Sequence, residues 1–247
     1  MGLFDSQFNQ IAGQLEALQA AGVHMHTRTL GPMTWPQAAG RNLIMNMDTA
    51  VELGHPKLGS MAFLIWIDDS APITNRRMTL IGPDIADIPN RQIPFGKIVR
   101  LRVHGLTPDN TYDHYRILEN VRFDLRLHGY MLRGVSHYGR EWSRVSRTAI
   151  REGFSFAVLA SALMDRYLAL DFVEKVDIVF ITAGLDVMRP FMPLAEQTLR
   201  ITAAMNKMVS ESVHDCDTCD YSDVCSDVAE LQRMRRSMLA RGGGHHA

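Results

Sequence analysis

Cys216-Asp-Thr-Cys219-Asp-Tyr-Ser-Asp-Val-Cys225 holds all three cysteines of a 247-residue chain. A thiolate is a soft donor, and a Cys-x2-Cys-x5-Cys spacing can bring three of them to one point, as a zinc ion or an iron–sulfur cluster requires. A disulfide framework instead calls for an even number of cysteines spread through a secreted fold. Zinc and a cubane cluster each take four protein ligands unless one position stays open for chemistry. The nearest further donors are His214, Asp215, Asp217, Asp220 and Asp223, with His245 and His246 in the tail. His214, two residues before Cys216, is the leading fourth ligand; an aspartate or a partner's residue is the alternative. The three thiols alone do not choose between cluster and zinc. The bland alternative is unligated thiols in a reducing compartment, but the clustering of every cysteine in ten residues favours metal or cluster binding.

A second chemistry lies upstream. Between Arg122 and Arg151 stand Arg126, Arg133, Arg140, Arg144 and Arg147, a local basic concentration in a chain of formal net charge -1. Arginine forks bind phosphate in two-point fashion, and an indole stacks on adenine or on a guanidinium. Trp142, Arg144 and Arg147 therefore form a candidate site for an anionic, nucleotide-like ligand. The competing reading is a solvated helix face with Trp142 packed as core. His24 and His26 alternate on an extended stretch and face one side, an arrangement more often solvent-facing or core than metal-binding. His104, His114, His128 and His137 show no ligand spacing. No glycine-rich phosphate loop, serine elbow or pair of catalytic carboxylates stands out.

These residues need a scaffold. Leu3, Phe4, Phe8, Ile11, Leu15 and Leu18 recur at helical spacing and stop at Gly22. The runs 43–47, 61–67, 75–81 and 176–181 are short and apolar, suited to buried strands, and 23–29 is extended. Ile98-Val-Arg-Leu-Arg-Val103 alternates, placing Arg100 and Arg102 on the face opposite the buried one. Helical patterns run over 112–132, capped by Asp109 or Asn110, then over 143–151, 154–170, 195–213 and 228–239. Met45, Met47 and Met61 read as core fillers. The fold class expected is α/β, a mixed sheet flanked by helices with a helical, cysteine-bearing C-terminal extension. The divisions are an α/β domain over 1–190, a metal-cluster segment over 191–240 and a disordered tail over 241–247.

Composition narrows the partners. A hydrophobic content of 46% supports a real core, and the near-neutral balance argues against general affinity for nucleic acid or anionic membrane. No apolar run approaches the ~20 residues that cross a bilayer. The start Met-Gly-Leu-Phe-Asp-Ser-Gln lacks the pattern of a secretory signal, so a cytoplasmic protein is expected.

Several segments, in order, resemble acetyl-CoA synthase, the CO-methylating subunit of the carbon monoxide dehydrogenase/acetyl-CoA synthase complex. They are Asp48-Thr-Ala-Val-Glu-Leu-Gly54, Ile81-Gly-Pro-Asp-Ile85 followed by Ile93-Pro-Phe-Gly-Lys-Ile98, and Val173-Glu-Lys-Val-Asp-Ile-Val-Phe-Ile-Thr182. Most specific is Trp142-Ser-Arg-Val-Ser-Arg-Thr-Ala-Ile-Arg-Glu-Gly-Phe154. The similarity spans residues 40–225 and resembles the family's middle domain, running into the start of its cluster-binding region. It implies coenzyme A binding near Trp142 and Arg144, with Arg147 where the family more often has lysine. It also implies a cubane 4Fe-4S cluster on Cys216, Cys219 and Cys225.

The sequence departs from the family too. Its gap before the third cysteine is shorter, and the family's fourth cluster cysteine and nickel-binding Cys-Gly-Cys have no counterpart. Carbonylation of a methyl-nickel centre is therefore not expected. The resemblance implies a truncated relative, an iron–sulfur subunit of a larger redox or C1/acyl-transfer complex with other protein subunits as partners. The alternative is a coenzyme A, acyl-CoA or partner-binding module with a structural zinc site.

Overall fold

The computed structural model describes residues 2–38, 43–68, 73–136, 139–210 and 219–242. Its first sheet has the strand order β1-β4-β9-β6-β3, from β1 (Met25–Thr29), β4 (Arg77–Ile81), β9 (Val173–Ile181), β6 (Phe95–Val103) and β3 (Ser60–Ile67). The pairs β3–β6 and β4–β9 are parallel, whereas β6–β9 and β1–β4 are antiparallel. A second sheet has the order β5-β2-β8-β7, from β5 (Gln92–Ile93), β2 (Thr49–Leu53), β8 (Arg140–Ser146) and β7 (Tyr130–Ser136). The class is mixed α/β, as the sequence implies.

Both faces of the first sheet are covered, which explains why β3 and the second half of β9 read as near-continuous apolar runs and why even the alternating β6 is buried along almost its whole length. On one face, α4 (Phe156–Leu168) stacks Phe156 on Phe95 and Phe180, with ring centroids 5.8 and 4.8 Å away. On the other, α1 (Asp5–Ala20) lays Phe8 over the Arg100 guanidinium at 5.4 Å. Beside it, α6 (Met192–Ser210) packs on α1 and β3. Arg100 and Arg102 do share a face, yet Arg100 is buried, not solvated. Its guanidinium reaches Asp177 at 2.9 Å, and Arg77 reaches the same carboxylate oxygen at 2.6 Å from the opposite strand. The register places Arg100, Asp177 and Arg77 in one row across three strands. A lone carboxylate in an apolar strand is tolerated because two cations face it.

The sheets meet at β3. Ala62 donates its N–H to the Gly139 carbonyl at 2.5 Å, and Lys97 Nζ reaches the Glu141 carboxylate at 2.6 Å, both groups buried. Gly54, at φ +69°, turns the chain between β2 and β3 hard against β8; a Cβ there would lie 2.2 Å from the Glu141 carbonyl oxygen. Only glycine fits this approach.

Three local expectations are corrected. The helical pattern over 112–132 holds only for α2 (Thr111–Asn120); one 3-10 turn follows, Gly129 takes a positive φ, and β7 begins at Tyr130. Asn110 is the residue before α2 but makes no side-chain cap to it. The stretch 143–151 is the end of β8 followed by the short α3 (Arg147–Arg151), which Ser146 caps by accepting from the Ala149 N–H. The segment 43–47 is no buried strand: Leu43, Met45 and Met47 are 71, 53 and 77% exposed, whereas Met61 is core as expected.

At the C-terminal end, α5 (Leu185–Met188) leads into α6, and α7 (Ser222–Asp227) is followed by α8 (Ala229–Gly242). Val224, Leu231 and Met234 join the same hydrophobic cluster as the sheets. Residues 243–247 of the expected tail lie outside the described residues, while Arg241 and Gly242 close α8. Among the described residues, no helix is long and apolar enough to cross a membrane.

Candidate functional site

The two sites expected from sequence fall on opposite kinds of scaffold. Trp142 and Arg144 lie on β8, two residues apart and so on one face of the second sheet. Glu52 on β2 stands directly opposite Arg144 in the antiparallel register. Arg144 Nε donates to Glu52 Oε1 at 2.6 Å, and a terminal guanidinium nitrogen donates to the Ile44 carbonyl at 3.2 Å. Gln92 on β5 donates to the other Glu52 oxygen at 2.7 Å, and His55 stands 3.8 Å from it. Glu52 is 2% exposed and Arg144 8%. Burial alone would raise the Glu52 pKa; hydrogen bonds from Arg144 and Gln92 outweigh it and hold the carboxyl below its ordinary range.

The indole of Trp142 is also engaged. The Arg133 guanidinium lies 4.3 Å from its ring centroid, Arg144 lies at 5.8 Å, and His55 meets it edge-on at 5.3 Å. Of the two partners an indole can stack on, the fold supplies a guanidinium. A bulge between Leu132 and Gly134 marks the place on β7 from which Arg133 reaches the ring. Arg147 is not part of this group. It is exposed at the start of α3, fixed by its backbone N–H to the Asp48 carbonyl at 2.9 Å. The face therefore unites Trp142 and Arg144 and adds Glu52, Gln92, His55 and Arg133, which the sequence reading missed. One signal for Glu52 was available: a carboxylate inside the apolar run Thr49-Ala-Val-Glu-Leu53 requires a buried cation.

The cysteine segment is built otherwise. Cys219 and Cys225 are half-buried, and neither forms a disulfide among the described residues. Cys219 opens the turn into α7, its carbonyl accepting from the Ser222 N–H at 3.1 Å, and Cys225 sits inside α7. The helix is held to α6 by Arg200, which donates to both Asp223 oxygens at 2.8 Å. Val224 is buried beneath it. The Val224 backbone N–H, and after it Arg200, lower the Asp223 pKa. Asp223 is thus engaged by Arg200, which weakens it as a metal ligand. Cys216 and His214 lie outside the described residues, as do Asp215 and Asp217. Among the described residues, no group of three His, Cys, Asp or Glu side chains is placed to hold a metal ion.

A family model described as CO dehydrogenase/acetyl-CoA synthase complex beta subunit matches residues 32–187. The chain belongs to this family. The match takes in both sheets apart from β1 and includes Glu52, Trp142 and Arg144. It ends before α6 and the cysteines, so the beta-subunit relationship rests on the sheet-bearing part of the chain. No curated protein matches the sequence significantly.

Proposed function

We propose that this member of the beta-subunit family is a non-autonomous iron–sulfur subunit of a larger redox or C1/acyl-transfer complex. Cys216, Cys219 and Cys225 are the cluster ligands, with His214, an aspartate or a partner's side chain at the fourth iron. The observation that carries the reading is one of position. Three thiols follow a family-matched α/β body in sequence, with Cys219 just before and Cys225 within a short helix tied to α6 by Arg200 and Asp223. The donor set fits the group: all three are soft, and the two described are partly accessible. A bound cluster would supply one-electron transfer, with an open iron available to a ligand. The chain's own residues leave Cys219 and Cys225 half-buried, within reach of a partner subunit, and Arg200 fixes the helix that carries Cys225. No nickel chemistry is assigned to this chain.

The test is iron, sulfide, zinc and nickel content, with the visible spectrum, on protein purified without oxygen. About four irons and four sulfides per chain are expected for a cubane cluster. In Cys219→Ala the charge-transfer absorption disappears; a retained spectrum would remove Cys219 from the site.

The Trp142–Arg133 stack favours a second reading, in which coenzyme A, an acyl-CoA or a partner docks beside Trp142 and zinc staples the C-terminal helices. Because Arg144 is engaged by Glu52, the cations open to such a ligand are Arg133 and the exposed Arg147. Calorimetry with coenzyme A on Arg133→Ala and Arg147→Ala tests it. Stoichiometric zinc without iron would favour it over the cluster.

A further inference from the structure

The outer edge of β7 borders a groove of about 560 Å³ whose opposite wall is the turn and loop after α2. Arg122 and Arg126 come from that wall and Arg133 from the strand, and among the described residues the lining contains no carboxylate. In a chain of net charge -1, three cations around one groove are a local excess. Their charge is not cancelled evenly. Arg122 is held by Glu119, yet its buried Nε has no acceptor, and no acid pairs with Arg126 or Arg133 among the described residues. Between the cations lies Phe123, 56% exposed, with the Arg122 guanidinium 5.2 Å from its ring.

The groove's long side is a strand edge that no other strand pairs among the described residues. Edges are often protected by a bulge and a charge. Here the bulge accompanies the stacking of Arg133 on Trp142, and Gly134 and Val135 beyond it keep regular register with β8. An exposed main-chain edge, an aromatic anchor and cations on both walls suit an extended polypeptide better than a small anion, for which the cations would converge on one point.

We propose that this groove docks an extended, acidic segment of a partner protein, carboxylates to Arg122, Arg126 and Arg133 and an apolar side chain to Phe123. The occupant is a protein strand, and its binding is independent of any metal at the cysteines. The surface gives a physical form to the partner in the proposed function, but its test does not depend on the cluster.

The probe is a short fluorescein-labelled peptide of alternating glutamate and valine, its anisotropy followed with the full-length protein at low ionic strength. Binding that weakens with salt is expected. Arg126→Glu should reduce affinity by roughly tenfold or more, the scale of one lost charge-assisted hydrogen bond. Phe123→Ala should weaken binding, and Glu119→Gln, which frees Arg122, should tighten it. Cys219→Ala should bind as the parent does, so failure of the cluster reading leaves this result standing. Absence of binding, or equal affinity in Arg126→Glu, overturns the proposal. So does displacement by inorganic pyrophosphate with unchanged affinity in Phe123→Ala, which identifies a small-anion site. An oligonucleotide that binds more tightly than the peptide also overturns it.

Discussion

The face around Trp142 and the helix that carries Cys225 sit on one hydrophobic core but use their polar groups in opposite ways. On the sheet, most polar groups close on one another: Glu52 takes Arg144 and Gln92, Arg144 also takes the Ile44 carbonyl, and the Trp142 ring takes Arg133, while the buried Trp142 Nε1 finds no acceptor among the described residues. Such an arrangement has much to lose if Glu52 or Arg144 is removed. On α7, the charged pair of Arg200 and Asp223 is exposed and positions the element that carries Cys225. Family membership resides in the first region; the proposed chemistry resides in the second. A residue inside a family motif can thus be there to hold the sheet together.

The largest effect expected from breaking this contrast is in stability. Arg144→Ala leaves the buried Glu52 carboxylate without its cation and should cost ~3–5 kcal/mol in urea unfolding, whereas the double change Glu52→Leu with Arg144→Met should recover most of it. Neither change should alter metal content per folded chain. Asp177→Ala, which strands Arg77 and Arg100, should cost a similar amount by the same measurement, roughly 3–5 kcal/mol.

Acid separates the regions next. The folded-state pKa of Glu52 lies below its unfolded value, so the pair's contribution is complete above the ordinary carboxylate range and is lost as pH falls through the folded value. Glu52→Gln should therefore flatten the acid limb of the stability–pH curve, seen by thermal unfolding. A parallel downward shift with unchanged slope would show that the pair does not titrate as described.

The smallest global effect is expected at Arg200. Arg200→Ala removes an exposed ion pair and should leave the unfolding free energy nearly unchanged. It should nonetheless speed metal loss to a chelator, because α7 loses its tie to α6. Unchanged chelation kinetics would separate the cysteines from that tie.

Legibility in the sequence followed how each segment is buried. The strands β3 and β9 could be read directly, because two covered faces leave an apolar run, broken over 176–181 of β9 only by the ion-paired Asp177. The strand β8 was hidden since three of its buried positions are Glu141, Ser143 and Arg144, so neither an apolar run nor an apolar–polar alternation marks it. Beyond Asn120, apolar residues keep helical spacing while the backbone leaves the helix, and no proline or glycine marks the break before Gly129. The run 43–47 reads as strand by composition, although only Ile44 is buried and Leu43, Met45 and Met47 are exposed. At the site, Trp142 and Arg144 were found by motif. Their partners Glu52, Gln92 and Arg133 come from three other strands, a proximity only the sheet register creates.

The most direct test of the contrast is the iron and sulfide content of anaerobically purified parent, Arg144→Met/Glu52→Leu and Cys219→Ala proteins, measured side by side. The account predicts about four of each in the first two and loss of the cluster only in Cys219→Ala. Iron absent from the parent, or retained in full without Cys219, would contradict it.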